Sequence, residues 1–150
     1  VLRALPYIRS DHFGLTYGDG VANIDLTAEL AFHRAHGCQS TVAAVRAPSR
    51  FGEMVIDELE DVSDFREKPD VAPGRINGGF FILKREGLER YLQPAGENLV
   101  WERQPLECLA RNHQLKAFDH GGFWQPMDTY REFELLNELW RSDRAPWKVW

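Results

Sequence analysis

The sequence predicts an α/β fold with a mostly parallel sheet, and two observations carry this prediction. The first 50 residues contain an apolar run at 13–17, an amphipathic segment after Asp25, and a β-branched, alanine-rich run at 40–46. A strand, a helix and a second strand in this order are typical of a parallel crossover. From residue 51 onward, short extended segments separated by glycine, proline and polar turns add further strands.

The first helix has clear signals at both ends. Asp25 is placed to cap its start, and Gly37 is placed to end it. Between them, Leu26, Leu30 and Ala31 fall on one side of the helix. We therefore expect these three apolar residues to face the sheet.

The remaining elements follow from the same kinds of signal. Extended segments are predicted at 51–57, 62–67, 76–83, 115–118 and 122–125, and helices at 86–92 and 105–112. Thr129 and Glu132 have the spacing of a capping box, which predicts a last helix starting there. The apolar face predicted for that helix consists of Tyr130, Phe133, Leu136 and Trp140.

Composition excludes several classes of function. The chain has 150 residues, which is enough for one domain with its own core, and a net charge of −5 without any basic run. This charge argues against nucleic acid or an anionic membrane as the main partner. Cys38 and Cys108 lack CxxC spacing and are expected to be ordinary thiols in a reducing compartment. These features favour a cytoplasmic enzyme, with no signal peptide and no membrane span.

Two acidic motifs lie near opposite ends of the chain. Asp19 stands in Gly18-Asp19-Gly20 after the first predicted strand, and Asp128 comes just before the last predicted helix. Ligands of α/β sheets bind outside the carboxyl ends of the strands, and Mg²⁺ is often held by two carboxylates together with phosphate oxygens. The ordinary alternatives are a turn aspartate for Asp19 and a helix N-cap for Asp128.

Two further motifs lie between the aspartates. The segment Glu67-Lys68-Pro69 offers a compact cation suited to a phosphate monoester. Taken alone, such a segment is more often a solvated strand end, and only the order of the motifs around it favours the phosphate role. The segment Asn77-Gly78-Gly79 places two glycines at the entry to an apolar strand, where glycine marks a bulge or a close approach of backbone. The histidines show no metal-ligand spacing, and His33 and His36 are interpreted as structural.

Taken in order from about Leu15 to Trp150, these motifs resemble those of the sugar nucleotidyltransferase family. The segment 121–129, with its Trp-Gln-Pro-Met-Asp-Thr motif, and the tail Ala-Pro-Trp-Lys-Val-Trp at 145–150 are similar to the members that transfer cytidylyl groups. The resemblance implies a Rossmann-like, GT-A-like sheet with helices on both faces. It further implies conversion of CTP and glucose 1-phosphate to CDP-glucose and diphosphate, in deoxysugar synthesis for bacterial O-antigen polysaccharide, by a homo-oligomeric full-length enzyme.

The resemblance also assigns roles to individual residues. Asp19 and Asp128 would bind Mg²⁺, Lys68 would grip the sugar phosphate, and Glu67 would accept hydrogen bonds from sugar hydroxyls. The other residues implied to line the substrate site are Gly18, Gly20, Gly52, Asn77, Gly78, Gly79, Glu102 and Trp124. A helix-opening acid explains Glu102 nearly as well.

One family motif is missing from this sequence. The family opens with a glycine-rich loop, with an arginine and a following lysine, that binds the triphosphate. We therefore interpret residues 1–150 as the C-terminal portion of a single nucleotidyltransferase domain. We expect this portion alone to form no CDP-glucose and to associate through the open edge of the strand at 13–17. Two alternatives stay open: a sugar-phosphate nucleotidyltransferase using UTP or dTTP, and a non-catalytic relative that binds sugar nucleotides.

Overall fold

The computed structural model describes residues 1–48, 52–67, 74–92 and 99–150 and confirms an α/β fold. The strands are β1 (His12–Thr16), β2 (Gly20–Ala22), β3 (Ser40–Val45), β4 (Glu53–Ile56), β5 (Val62–Arg66), β6 (Ile76–Lys84), β7 (Leu115–Asp119) and β8 (Trp124–Pro126). The helices are α1 (Leu26–His36), α2 (Glu89–Leu92), α3 (Gln104–Arg111) and α4 (Tyr130–Arg141), preceded by a 3-10 helix at Leu2–Tyr7. Each strand predicted from the sequence is present within about two residues of its expected bounds.

The main sheet has the strand order β1-β6-β3-β7. Strands β3 and β7 pair in parallel, whereas β6 runs antiparallel to both of its neighbours, β1 and β3. Three strands therefore share one direction, as the predicted crossover from β1 through α1 to β3 requires. The sheet is mixed because β6, which comes later in the chain, is inserted between β1 and β3.

Helices cover both faces of this sheet, as expected. On one face, α1 contacts β3 through a hydrogen bond between His33 Nδ1 and Thr41 Oγ1 (2.8 Å) and contacts β7 through the rings of Phe32 and Phe118. The other face carries the main hydrophobic core together with α2, α3 and the 3-10 helix. The buried members of that core are Leu5, Phe81, Leu83, Leu88, Tyr91, Leu92, Trp101 and Leu109.

Helix α1 begins and ends where the sequence predicted, but the expected buried face is wrong. The Asp25 carboxylate accepts hydrogen bonds from the first-turn amides, and Gly37 ends the helix with a φ of 65°. Leu26 is 55% exposed, whereas Glu29 and His33 are fully buried. The apolar pattern was misleading because polar contacts with β3, including that between His33 and Thr41, set the rotation of the helix.

Strands β4 and β5 form a separate antiparallel hairpin. Its directly opposed apolar pairs, Met54 with Phe65 and Ile56 with Val62, are each more than half exposed. Within the described ranges, no helix is both long enough and apolar enough to cross a membrane.

Helix α4 opens with the predicted capping box. Thr129 Oγ1 accepts a hydrogen bond from the Glu132 amide, and the Glu132 carboxylate accepts one from the Thr129 amide. Of the apolar residues predicted to face inward, Leu136 is buried, but Tyr130 is 72% and Trp140 50% exposed. The apolar face of α4 is thus only partly covered by the described part of the chain.

Candidate functional site

The two aspartates lie at one end of the short β2–β8 ladder. Gly20 pairs with Pro126, and the amide of Met127 donates a hydrogen bond to the carbonyl of Asp19 (2.8 Å). Asp128 is the next residue along the chain, and both aspartates are exposed. The ladder therefore brings together two acidic segments that are far apart in the sequence.

The surroundings of Asp128 show that it is not the N-cap of α4. Thr129 is the capping residue, and the Glu132 carboxylate accepts a hydrogen bond from the Asp128 amide (2.9 Å). The capping box thus fixes the backbone of Asp128 without using its carboxylate as the cap. The ordinary interpretation of Asp128 as a helix N-cap is wrong, because the next residue takes that role.

Trp124 ties the β2–β8 ladder to β6. Its indole Nε1 donates a hydrogen bond to the carbonyl of Gly78 (2.8 Å). A Cβ added to Gly20 would lie 3.6 Å from that indole nitrogen and 3.8 Å from the Gly78 carbonyl oxygen. Three of the predicted substrate-binding residues therefore contact one another directly, at the end of the ladder that leads to Asp19.

Gly78 and Gly79 are required by close packing, as the sequence predicted for a close backbone approach. A Cβ on Gly78 would lie 2.6 Å from Val45 Cγ1 and 2.9 Å from the carbonyl oxygen of Ala43 on β3. Gly79 has a φ of 76°, and a Cβ there would lie 2.6 Å from Cδ2 of Tyr17. Any larger residue at either position would push the neighbouring strands or ring away.

Tyr17 is the centre of a hydrogen-bond network that the sequence analysis did not assign. Its amide donates to the Gly79 carbonyl (2.9 Å), and its hydroxyl accepts a hydrogen bond from Asn77 Nδ2 (3.0 Å). Asn77 Oδ1 in turn accepts from the Gly79 amide (2.8 Å). The only sequence signal was an aromatic residue just before Gly18-Asp19-Gly20, which is not specific enough to select it.

Glu102 influences the Tyr17 hydroxyl at the centre of this network. Burial raises the pKa of the Tyr17 hydroxyl to about 12, with further contributions from its hydrogen bond to Glu102 and from the negative charges of Glu102 and Asp19. The neighbouring Trp101 is buried and packs edge-on against Phe81, with 5.6 Å between the ring centroids. Glu102 is therefore exposed but anchored to the core through the residue before it.

Gly52 and Glu67 form a second group, at the open end of the hairpin. A Cβ on Gly52 would lie 3.0 Å from Oε2 of Glu67 and 3.0 Å from Cζ of Phe65. Lys68, the predicted phosphate ligand, lies outside the described residues. Gly18 is described but exposed, and an added Cβ there would meet no atom within 4 Å.

In the part of the chain that the structure describes, no group of three or more histidine, cysteine, aspartate or glutamate side chains is arranged to hold a metal. Mg²⁺ commonly takes one or two carboxylates and fills its other positions with phosphate oxygens and water. Asp19 and Asp128, in adjacent segments of the backbone, are the residues that could provide those carboxylates.

The β2–β8 ladder thus joins the segments of Asp19 and Asp128 and is bonded through Trp124 to the glycine-containing start of β6. Comparisons with known proteins show the family of this chain. The chain matches the family model described as nucleotidyl transferase over residues 3–131, and it belongs to that family. It is 44% identical over 149 residues to the glucose-1-phosphate cytidylyltransferases of Salmonella typhi and Salmonella typhimurium strain LT2. In both cases the match covers 99% of this chain and 56% of the relative.

The chain thus spans about half the length of the curated relatives that it matches. Among solved structures, HddC from Yersinia pseudotuberculosis superposes with a TM-score of 0.59 at 20% sequence identity. That match covers 92% of this chain and 59% of the other. At this level of identity the likeness shows the fold alone, and it agrees with the α/β sheet described above.

Proposed function

We propose that this chain carries the sugar-phosphate site of a glucose-1-phosphate cytidylyltransferase, which converts CTP and glucose 1-phosphate to CDP-glucose and diphosphate. The observation that carries the proposal is the β2–β8 ladder, which holds Asp19 beside the segment of Asp128. The same unit is joined through Trp124 to the glycine-lined start of β6. The names of the relatives that are 44% identical support the choice of substrates.

The proposed reaction needs no nucleophile from the enzyme. A phosphate oxygen of glucose 1-phosphate, already anionic at neutral pH, attacks the α-phosphorus of CTP in line and expels diphosphate. Asp19 and Asp128 would hold Mg²⁺, which when bound neutralises charge on the phosphates. The protein then contributes mainly alignment of the two substrates and electrostatic stabilisation.

Each of the remaining predicted residues is assigned to contacts with either the phosphate or the sugar of the substrate. We assign Lys68 to the phosphate of the sugar substrate, because a lysine ammonium is a compact charge suited to a phosphate monoester. Glu67, Asn77 and Glu102 are assigned to sugar hydroxyls. The residues assigned to close backbone or ring contacts are Gly18, Gly20, Gly52, Gly78, Gly79 and Trp124.

We also propose a pathway, an oligomeric state and a compartment for the full-length enzyme. The product would enter deoxysugar synthesis for O-antigen polysaccharide, and the full-length enzyme would act as a homo-oligomer in the cytoplasm. Cys38 and Cys108 are both free thiols, which suits a reducing compartment.

A binding and turnover experiment with matched variants tests the proposal. We expect Mg²⁺-dependent binding of glucose 1-phosphate by calorimetry, and loss of that binding in Asp19→Asn and Asp128→Asn. Wherever diphosphate release is detectable with CTP, these variants should lower it on the order of a hundredfold or more. Asp11→Asn, an exposed aspartate before β1, is the matched control and should change neither quantity.

Three results would count against the proposal. Unchanged Mg²⁺ dependence in both aspartate variants would remove the metal assignment. Faster diphosphate release with UTP or dTTP than with CTP would favour a different nucleotidyltransferase. Sugar-nucleotide binding without turnover in a protein that also carries the triphosphate loop would favour a non-catalytic relative.

A further inference from the structure

We propose that Tyr17 is a positioning residue whose hydroxyl holds the Asn77 side chain in the orientation that recognises a hydroxyl group of a hexose phosphate. This inference rests on the proposed function, because it takes the sugar site as the place where Asn77 acts. It adds a residue to that site and separates recognition of the sugar from recognition of its phosphate.

The first step concerns Asn77, whose side-chain amide is held at both of its polar atoms. Its Oδ1 accepts from the Gly79 amide at 2.8 Å, and its Nδ2 donates to the Tyr17 hydroxyl oxygen at 3.0 Å. An amide nitrogen carries two N–H donors, so one donor remains to meet a ligand. Asn77 is exposed, and among the described residues the bond to Gly79 is the one side-chain hydrogen bond that it would keep without Tyr17.

The second step explains why Tyr17 can orient Asn77. Its ring is pressed against Gly79, and it also packs on Phe81 with 5.7 Å between the ring centroids. Its backbone amide is bonded to Gly79 as well. The position of the ring therefore does not depend on the hydroxyl, and Tyr17→Phe removes the hydrogen bond from Asn77 without removing these contacts.

The chemistry presented by this network suits hydroxyl groups rather than phosphate. The remaining Asn77 N–H can donate a hydrogen bond to a sugar hydroxyl oxygen. The charge of the Glu102 carboxylate lies near Tyr17 and would repel a phosphate of like charge. Loss of the Tyr17 hydroxyl should therefore weaken the sugar contacts while leaving contacts with phosphate unchanged.

The test compares two ligands in one variant. In Tyr17→Phe, we expect calorimetric affinity for glucose 1-phosphate to fall about three- to tenfold, as for one lost hydrogen bond, while affinity for inorganic phosphate is unchanged. Where turnover is measurable, KM for glucose 1-phosphate should rise without a rise in KM for CTP. Tyr130→Phe, at a tyrosine 72% exposed on α4, is the matched control and should leave both affinities as they are.

A measurement without substrate separates this inference from the proposed function. The two side-chain NH₂ resonances of Asn77 should become more similar in shift and faster in exchange in Tyr17→Phe, because the restraint on Nδ2 is lost. If the unaltered chain binds phosphate but not glucose 1-phosphate, the proposed function fails, while the resonances still report on positioning. Equal loss of affinity for both ligands, or unchanged Asn77 resonances, would overturn the positioning role.

Discussion

Two buried ionisable residues on α1 have opposite effects on stability as pH changes. Glu29 is 0% and His33 1% exposed, and neither the Glu29 carboxylate nor His33 Nε2 has a hydrogen-bond partner among the described residues. Desolvation raises the pKa of Glu29 from 4.5 to about 7. Desolvation lowers the pKa of His33 from 6.5 to about 4, with smaller contributions from the charges of His36, His12 and Arg34.

The sign of each contribution follows from which state binds the proton more tightly. The folded chain binds a proton on Glu29 more tightly than the unfolded chain does, so this residue lowers stability as pH rises from about 4.5 to about 7. The folded chain binds a proton on His33 less tightly, so stability falls as pH drops from about 6.5 to about 4. The two effects oppose one another where these ranges overlap.

We therefore predict that Glu29→Leu stabilises the chain at pH 8 by about 2–3 kcal/mol, because it removes an unpartnered buried carboxylate. The gain should shrink towards pH 4.5, where Glu29 is protonated in the folded chain. Urea unfolding across this pH range measures it. Glu134→Leu on the exposed side of α4 is the control, and an equal gain at every pH would contradict the assignment to ionisation.

A second prediction for a single residue concerns the role of Lys68 in binding the sugar phosphate. In the full-length enzyme, Lys68→Met should raise KM for glucose 1-phosphate far more than KM for CTP, because a charge-assisted phosphate contact of about 2–3 kcal/mol is lost. Steady-state kinetics with each substrate varied in turn provides the measurement. Lys116→Met, an exposed lysine on β7, should change neither value. Equal increases for both substrates would contradict the assignment of Lys68.

At the scale of elements, two glycines in adjacent strands have opposite tolerance for a side chain. Gly14 on β1 borders an apolar cavity of about 240 Å³ beneath Leu26, and an added Cβ would lie no closer than 3.9 Å to the nearest atom, the carbonyl oxygen of Phe81. Gly78 on β6 has no such room because Val45 and the backbone of β3 press against it. The same substitution should therefore have opposite effects at the two positions.

We predict that Gly14→Ala stabilises the chain by about 0.4–1 kcal/mol, because alanine restricts the unfolded chain at a position with an ordinary φ. Gly78→Ala should destabilise it by about 2 kcal/mol or more, because the new Cβ would meet Val45 at 2.6 Å. Urea denaturation of both variants under one set of conditions decides the matter. Destabilisation by both variants to a similar extent would mean that the cavity beside Gly14 is not available to a methyl group.

At the scale of the whole molecule, stability is concentrated in the centre of the main sheet. Strand β3 lies between β6 and β7, and its residues Ala43 and Val45 are 0% exposed. The β4–β5 hairpin contains only its own two strands, and a two-stranded hairpin is marginally stable in water. The chain should therefore open locally at the hairpin before the sheet unfolds.

Hydrogen exchange followed by NMR or mass spectrometry can check this order. We predict that the amides of β3 exchange last and those of the hairpin first, with rates that differ by more than about a hundredfold. Helix α4, whose aromatic side chains are 44% to 72% exposed, should fall between them. Uniform protection across the hairpin and β3 would show that the hairpin is stabilised by contacts beyond its own two strands.

Two predictions made from the sequence, the buried face of α1 and the set of site residues, were wrong or incomplete for identifiable physical reasons. The apolar residues of α1 predicted the wrong buried face, since pattern cannot anticipate that Glu29 and His33 are buried or that His33 bonds Thr41 of β3. The site prediction included Asn77 and Glu102 but not Tyr17, because a tyrosine in a strand is most often a packing residue. In both cases the deciding contact joins residues on different elements.

The sequence by itself determined the local features of this protein. The ends of α1 at Asp25 and Gly37, and the capping box of Thr129, depend only on neighbouring residues and could be predicted. The tertiary structure alone decided that β6 enters between β1 and β3, and that Tyr17 bonds Asn77 sixty residues away. The reason is that such contacts gain their free energy from long-range packing and desolvation, which no short stretch of sequence contains.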